Sequence, residues 1–182
     1  MSDRRRLLAL ALALILLVSR AAAKEPPGRP WKQEPTTYRG VAFGVGQEDA
    51  FEGEVCWPGD RMCAGPREMI ADVEVTEAWF FLNDKFSAVA QSFDSGGYET
   101  MREVFIRKYG PPHETRRGLF ETRGGARSQN ERLTWRGRKI VIELIRHSEN
   151  INDASAVIAT KEYLRAEEKR LEAEKKKAAD VF

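Results

Sequence analysis

Few residues in this chain have the types and spacing that chemistry needs. Cys56 and Cys63 are its only cysteines. With Met62 they form a set of soft thiolate and thioether ligands of the kind that Cu(I) takes. In an oxidising compartment the same two cysteines close a disulfide instead. That loop is short, so chain entropy yields only about 2 to 2.5 kcal/mol, and the bridge would pin a local loop rather than hold a fold. One methionine is thin support for a metal, so the disulfide is the favoured reading and no metal site is expected. His113 and His147 sit in separate loops with no further histidine or cysteine at ligand spacing, and both read as solvated loop residues. No haem-attachment motif, Walker loop, nucleophile elbow or His-Glu-x-x-His helix is present. No cofactor is expected. An enzyme would have to assemble its site in space, from Asp and Glu side chains with His113 or Tyr109.

Charge is distributed less evenly than a neutral domain requires. Residues 47–84 hold ten acidic and two basic residues, whereas 114–146 hold nine basic and four acidic. Two readings follow. Neighbouring strands of opposite sign could neutralise each other across a sheet. Alternatively, Arg116, Arg117, Arg123, Arg127, Arg136 and Arg138 form a basic surface for an anionic partner.

The amino terminus decides which partners such a surface would meet. Arg4, Arg5 and Arg6 precede an apolar run from Leu7 to Val18, and Ala21-Ala22-Ala23 follows. This is the layout of a secretory signal peptide, with cleavage expected after Ala23. Twelve apolar residues make about 18 Å of helix, short of a bilayer core of about 30 Å, so the mature chain is not expected to span a membrane. Arg20 sits close to the cut and keeps an uncleaved anchor as the alternative. The Arg4-Arg5-Arg6-Leu7-Leu8 run partly resembles a twin-arginine signal, although the strongly apolar run fits the Sec route better. Cleavage removes four of 30 basic residues and one of 28 acidic ones, leaving 26 against 27, so the positive charge of the mature chain is local. A periplasmic or secreted location points to an envelope protein or an anionic surface component, and not nucleic acid, as partner.

The elements that position these residues follow from periodicity. Residues 24–36 carry four prolines and read as an extended linker. The domain is expected over 37–160, with a short strand near Tyr38–Gly44 and an irregular loop over 47–67. In 71–82, Val73, Val75, Trp79 and Phe81 share one strand face, while the other turns apolar at Ala78, Phe80 and Leu82. Asn83-Asp84 tolerate positive φ and predict a two-residue hairpin turn into a strand over 85–93. Tyr98, Met101, Phe105 and Tyr109 have helical spacing, and Gly110-Pro111-Pro112 ends that helix. Residues 113–130 read as a loop. A second hairpin at 133–146 and a strand at 154–160 complete an α+β fold, an antiparallel sheet of about five strands with one helix packed on it. Residues 161–182 predict a charged helix docked through Tyr163 and Leu164. Its Leu164, Leu171 and Ala178 column offers a weaker coiled-coil reading, with self-association through 161–182.

An export signal, Tyr38-Arg39-Gly40-Val41-Ala42-Phe43-Gly44, an aromatic hairpin, a helix ending Lys108-Tyr109-Gly110-Pro111 and a later Trp135 together resemble a loose group of small exported bacterial proteins. The resemblance covers about 38–160 and implies an exported domain, with no activity or catalytic residues attached. The helix-on-sheet plan also looks like that of small outer-membrane assembly lipoproteins, from which this chain departs in having no cysteine at the cleavage site. The function expected is therefore that of a non-enzymatic envelope binding protein. The alternatives are an enzyme with a spatially assembled site and an oligomeric structural protein.

Overall fold

The computed structural model describes residues 31–50, 55–56, 61–122 and 124–179. The leader, most of the linker and Arg123 lie outside the described residues.

Turn chemistry sets the first half of the sheet. Strands β1 (Thr37–Tyr38) and β2 (Val41–Ala42) make a small ribbon, and a helical turn α1 (Gln47–Ala50) follows it. Strands β3 (Val55–Cys56), β4 (Met62–Ile70), β5 (Val73–Leu82) and β6 (Lys85–Asp94) then form an antiparallel meander. Asn83 and Asp84 take φ of 52° and 59°, the doubly positive turn their side chains predict. Ala71 and Asp72 make a second such turn, at φ of 45° and 67°, between β4 and β5. The expected irregular loop over 47–67 thus gives way to strand from Met62. Gly65 and Pro66 oppose a regular strand there, but the register shifts between Ala64 and Arg67 and so accommodates them.

Asp94 caps a single 3-10 turn, Ser95–Gly97, by accepting from the Gly96 amide at 2.7 Å. Helix α2 (Tyr98–Tyr109) buries Tyr98, Met101, Phe105 and Tyr109, as its spacing predicts. It ends where Gly110 adopts φ 80° and ψ −175°, a region essentially restricted to glycine. The chain then enters β7 (Glu114–Glu121), β8 (Arg127–Arg136), β9 (Ile140–Ile145) and β10 (Asp153–Thr160). Most of 113–130 is therefore strand. It reads as loop because β7 is exposed almost throughout and has no apolar alternation to betray it.

The eight strands stand in the order β3-β4-β5-β6-β10-β9-β8-β7, all antiparallel. The fold is α+β as expected, with eight strands in the main sheet among the described residues where about five were predicted. Helix α2 carries the chain from β6 to the far edge, and three hairpins bring it back until β10 pairs with β6. The face under α2 holds the main core, including Trp79, Phe81, Val89, Phe105, Leu133, Trp135, Ile142 and Ile158. Each such side chain contributes about 1.5 to 3 kcal/mol on burial. On the other face Met62, Phe80, Ala88 and Ala90 pack against Tyr163 of the final helix α3 (Lys161–Ala179). The Phe80 and Tyr163 rings lie 5.8 Å apart.

One acidic side chain is built into the main core. Glu77 is 1 % exposed. It accepts from the Tyr38 hydroxyl, from Gln91 Nε2 at 2.8 Å, from Arg39 Nη2 at 2.9 Å and from Trp79 Nε1 at 3.2 Å. Its partners come from β1, the β1–β2 turn, β5 and β6, so this carboxylate ties the small ribbon to the sheet. Residues 31–36 are fastened as well: Trp31 donates its indole N–H to Tyr109 O at 2.9 Å and meets the Tyr109 and His113 rings edge-on.

Candidate functional site

Strand alternation divides the arginines singled out from the sequence. Arg116 and Arg132 oppose each other across the β7–β8 ladder, as do Arg117 and Glu131, so successive arginines point to opposite faces. On the α2 side, Arg117 Nε lies 2.9 Å from Glu131, which also accepts from Tyr98 and Arg102, each at 3.1 Å. Burial opposes the ionisation of Glu131, but these donors outweigh it and hold its carboxyl below the usual range. Arg127 pairs with Glu121 at 3.1 Å. On the other side Arg116 and Arg136 both pair with Glu114. Hydrogen bonding from Arg116, opposed by burial and reinforced by Arg136, lowers the Glu114 carboxyl. Arg116, Arg117, Arg127 and Arg136 thus each meet a carboxylate. Arg123 lies outside the described residues.

Arg138 differs. It belongs to the turn between β8 and β9, and the topology brings three chain reversals to that end of the sheet. Register pairs Ala88 with Ala159 and Ile140 with Thr160. The β5–β6 turn, the β8–β9 turn and the β10–α3 junction therefore converge. They enclose an open cleft of 950 Å³, with Lys85, Arg138, Lys139, Lys161, Arg165 and Glu34 among its lining residues. Lys85, Arg138, Lys139 and Arg165 are exposed, and among the described residues none has a carboxylate within 4 Å. Five basic residues line this concavity against two acidic ones, Glu34 and Glu162, an excess of positive charge that attracts anions.

The floor of the cleft is hydrogen-bonded as well as charged. Glu34 accepts from the backbone amides of Arg138 at 3.0 Å, Lys139 at 2.6 Å and Ile140 at 2.9 Å. Burial resists the charge on Glu34, yet the three amides and Lys161 lower its carboxyl. A side chain at Gly137 would occupy the space that the Glu34 carboxyl fills, so glycine there is a condition of the contact. Of this site the sequence reading included Arg138 alone. Lys85, Lys139, Lys161 and Arg165 come together only through strand order, and Glu34 lies in the expected linker.

The histidines occupy other places. His113 is engaged through Nδ1, which accepts from the Arg136 amide at 2.8 Å. His147 is 6 % exposed, not solvated as predicted, because β8 folds over it and Ser128 Oγ meets its Nε2 at 2.9 Å. Burial, with Arg146 beside it, lowers its pKa. On the face opposite α2, Glu143 is 2 % exposed, and neither carboxylate oxygen has a hydrogen-bond partner. Burial pushes its carboxyl up, against the pull of Arg132, Arg136 and Arg116.

Among the described residues no helix is long and apolar enough to cross a membrane, and no group of three or more His, Cys, Asp or Glu is placed to hold a metal ion. The chain matches no family model, no curated protein and no solved structure.

Proposed function

We propose that this chain is an exported, non-enzymatic binding protein of the bacterial envelope, and that it holds an anionic partner in the cleft at the β8–β9 turn. The observation that carries the reading is the contrast in charge pairing. Arg116, Arg117, Arg127 and Arg136 meet carboxylates, whereas Lys85, Arg138, Lys139 and Arg165 share one cleft without a carboxylate within 4 Å among the described residues. The basic surface inferred from the sequence is thereby focused on Arg138 and its spatial neighbours. Export rests on the Arg4-Arg5-Arg6 and Leu7–Val18 pattern. The same compartment suits a Cys56–Cys63 disulfide, for which support comes from their direct opposition in the β3–β4 register. That bridge would fasten the β3 edge of the sheet.

The test is capture of envelope material by the exported chain at low salt. Reversing Arg138 and Lys139 to glutamate is expected to abolish capture, and raising ionic strength to weaken it, because exposed charges are screened within about 8 to 10 Å near physiological salt. Capture that survives the double reversal would overturn the reading. Reversing Arg117 or Arg127 serves as the comparison, since those side chains lie away from the cleft.

A further inference from the structure

The cleft contains a ready-made seat for an oxyanion, and a residue of the chain itself occupies it. Amides of three consecutive residues, Arg138, Lys139 and Ile140, converge on the Glu34 carboxylate at 2.6 to 3.0 Å. Successive backbone N–H groups aimed at one point form a nest, which binds anions through fixed dipoles. The nest does not depend on its occupant. Gly137 N donates to Ile140 O at 2.8 Å and Lys161 N to Lys139 O at 2.7 Å, so the turn is held by hydrogen bonds of its own. The occupant, by contrast, is delivered from outside the sheet. Glu34 precedes the first strand, flanked by exposed Lys32 and Gln33, and is tethered through its amide to Trp31 O at 3.2 Å.

Charge indicates what else the seat accepts. With Glu34 in place, Lys85, Arg138, Lys139 and Arg165 still lack a carboxylate within 4 Å among the described residues. One carboxylate carries one charge and two oxygens, fewer than this surround of donors and cations can serve. A phosphate group brings up to two charges and three free oxygens, and planar carboxylate chemistry already fits the nest. The geometry points to a phosphate-binding seat formed by the 138–140 amides, which Glu34 fills when no ligand is bound and vacates when a ligand phosphate enters. This inference rests on the reading of the cleft as the binding site, and it adds the ligand group and the means of occlusion.

The experiment titrates the isotopically labelled exported chain with inorganic phosphate and follows backbone amide shifts. Glu34→Ala is expected to show saturable shifts at Arg138, Lys139 and Ile140, with affinity at least about tenfold tighter than the wild type, whose seat is occupied most of the time. Phosphate should also raise the melting temperature of this variant, while sodium chloride at equal ionic strength should not. Should Glu34→Ala fail to fold, Glu34→Gln gives the same readout with a smaller gain, because its neutral amide competes less well than a carboxylate. Unresponsive 138–140 amides in the folded variant refute the seat. Vesicles containing phosphatidylglycerol in a phosphatidylcholine background distinguish a lipid-borne phosphate from a soluble one by which arm moves these amides. If envelope capture is lost on reversing Arg138 and Lys139 while phosphate leaves the Glu34→Ala amides unmoved, the seat fails and the cleft reading stands. Phosphate binding with capture unaffected by the reversal refutes the cleft reading instead.

Discussion

Replacing Glu77 with alanine is expected to be among the most damaging single changes to this domain. The carboxylate is 1 % exposed and accepts from four side chains. Two of them retain other partners: Gln91 Nε2 also donates to the Tyr38 oxygen at 3.0 Å, and Arg39 also reaches Glu68. The Tyr38 hydroxyl and the Trp79 indole each lose the acceptor that Glu77 provides, and leaving a buried donor unsatisfied costs about 1 to 3 kcal/mol. Two such losses give about 4 kcal/mol, in keeping with the roughly 3 to 5 kcal/mol for breaking a buried ion pair from one side. Urea unfolding followed by tryptophan fluorescence should show a midpoint lower by about 2 M, taking a slope of about 2 kcal/mol/M for a domain of this size. Glu77→Gln keeps one acceptor oxygen for the Tyr38 cluster but turns an N–H₂ toward the Trp79 N–H, so it should fall about midway. A double-mutant cycle with Tyr38→Phe should show strong coupling. A shift below about 0.5 M for the alanine variant, or equal shifts for alanine and glutamine, would show that Glu77 is not the tie between ribbon and sheet.

Other consequences are equally open to measurement. Ala71 has φ of 45°, a conformation costing a side-chain-bearing residue about 1 kcal/mol, so Ala71→Gly should raise the melting temperature by a few degrees. Acid should act in two stages. The folded His147 pKa is depressed below 6.5, so the unfolded chain takes that proton first and stability falls as pH drops through about 6.5; His147→Gln should remove this stage. Glu34, Glu114 and Glu131 are depressed below 4.5 in the folded state, so their contribution is present above 4.5 and is lost as pH falls further. Glu143 has the opposite sign: its raised pKa makes ionisation costly to the folded state, so Glu143→Gln should gain on the wild type more at pH 8 than at pH 5, as read by urea midpoints at the two pH values. Truncation after Leu171 removes only exposed residues of the described α3 and should change stability by less than about 0.5 kcal/mol. Truncation after Thr160 also removes Tyr163 from Phe80, costing about 2 to 3 kcal/mol, and light scattering of the Leu171 truncation tests whether the distal helix mediates self-association.

What was legible from the residues was local. The β5 alternation, the Asn83-Asp84 turn and the stop at Gly110 each depend on a few neighbouring side chains whose steric preferences are strong, and the structure has all three. Strand β4 was hidden because Gly65 and Pro66 oppose regular pairing, and only a register shift makes them compatible with it. Strand β7 was hidden because six of its eight residues are exposed and show no apolar alternation, so its pairing with β8 is what orders it. The charge excess over 114–146 was visible, but its meaning was not. Counting arginines cannot separate Arg117, which faces Glu131, from Arg138, which has no carboxylate within 4 Å among the described residues, because the difference lies in side-chain direction and strand order. Glu34 illustrates the same limit from the other side: its importance comes from amides more than a hundred positions away.

The position of β10 governs when this domain can fold. Its partner β6 is separated from it by the whole of α2 and three strands, and Ala159 pairs with Ala88 across 71 positions of sequence. A central strand is therefore the last of this sheet's strands in chain order. Until it emerges, β6 and β9 are two raw edges with no shared ladder, and the main core cannot close over α2. Loop closure over such separations slows folding, and unpaired edges invite wrong partners meanwhile. Under the export proposed above, in which the chain would cross a membrane as an extended thread, the same delay is an advantage: the sheet cannot lock before its β10 strand has arrived.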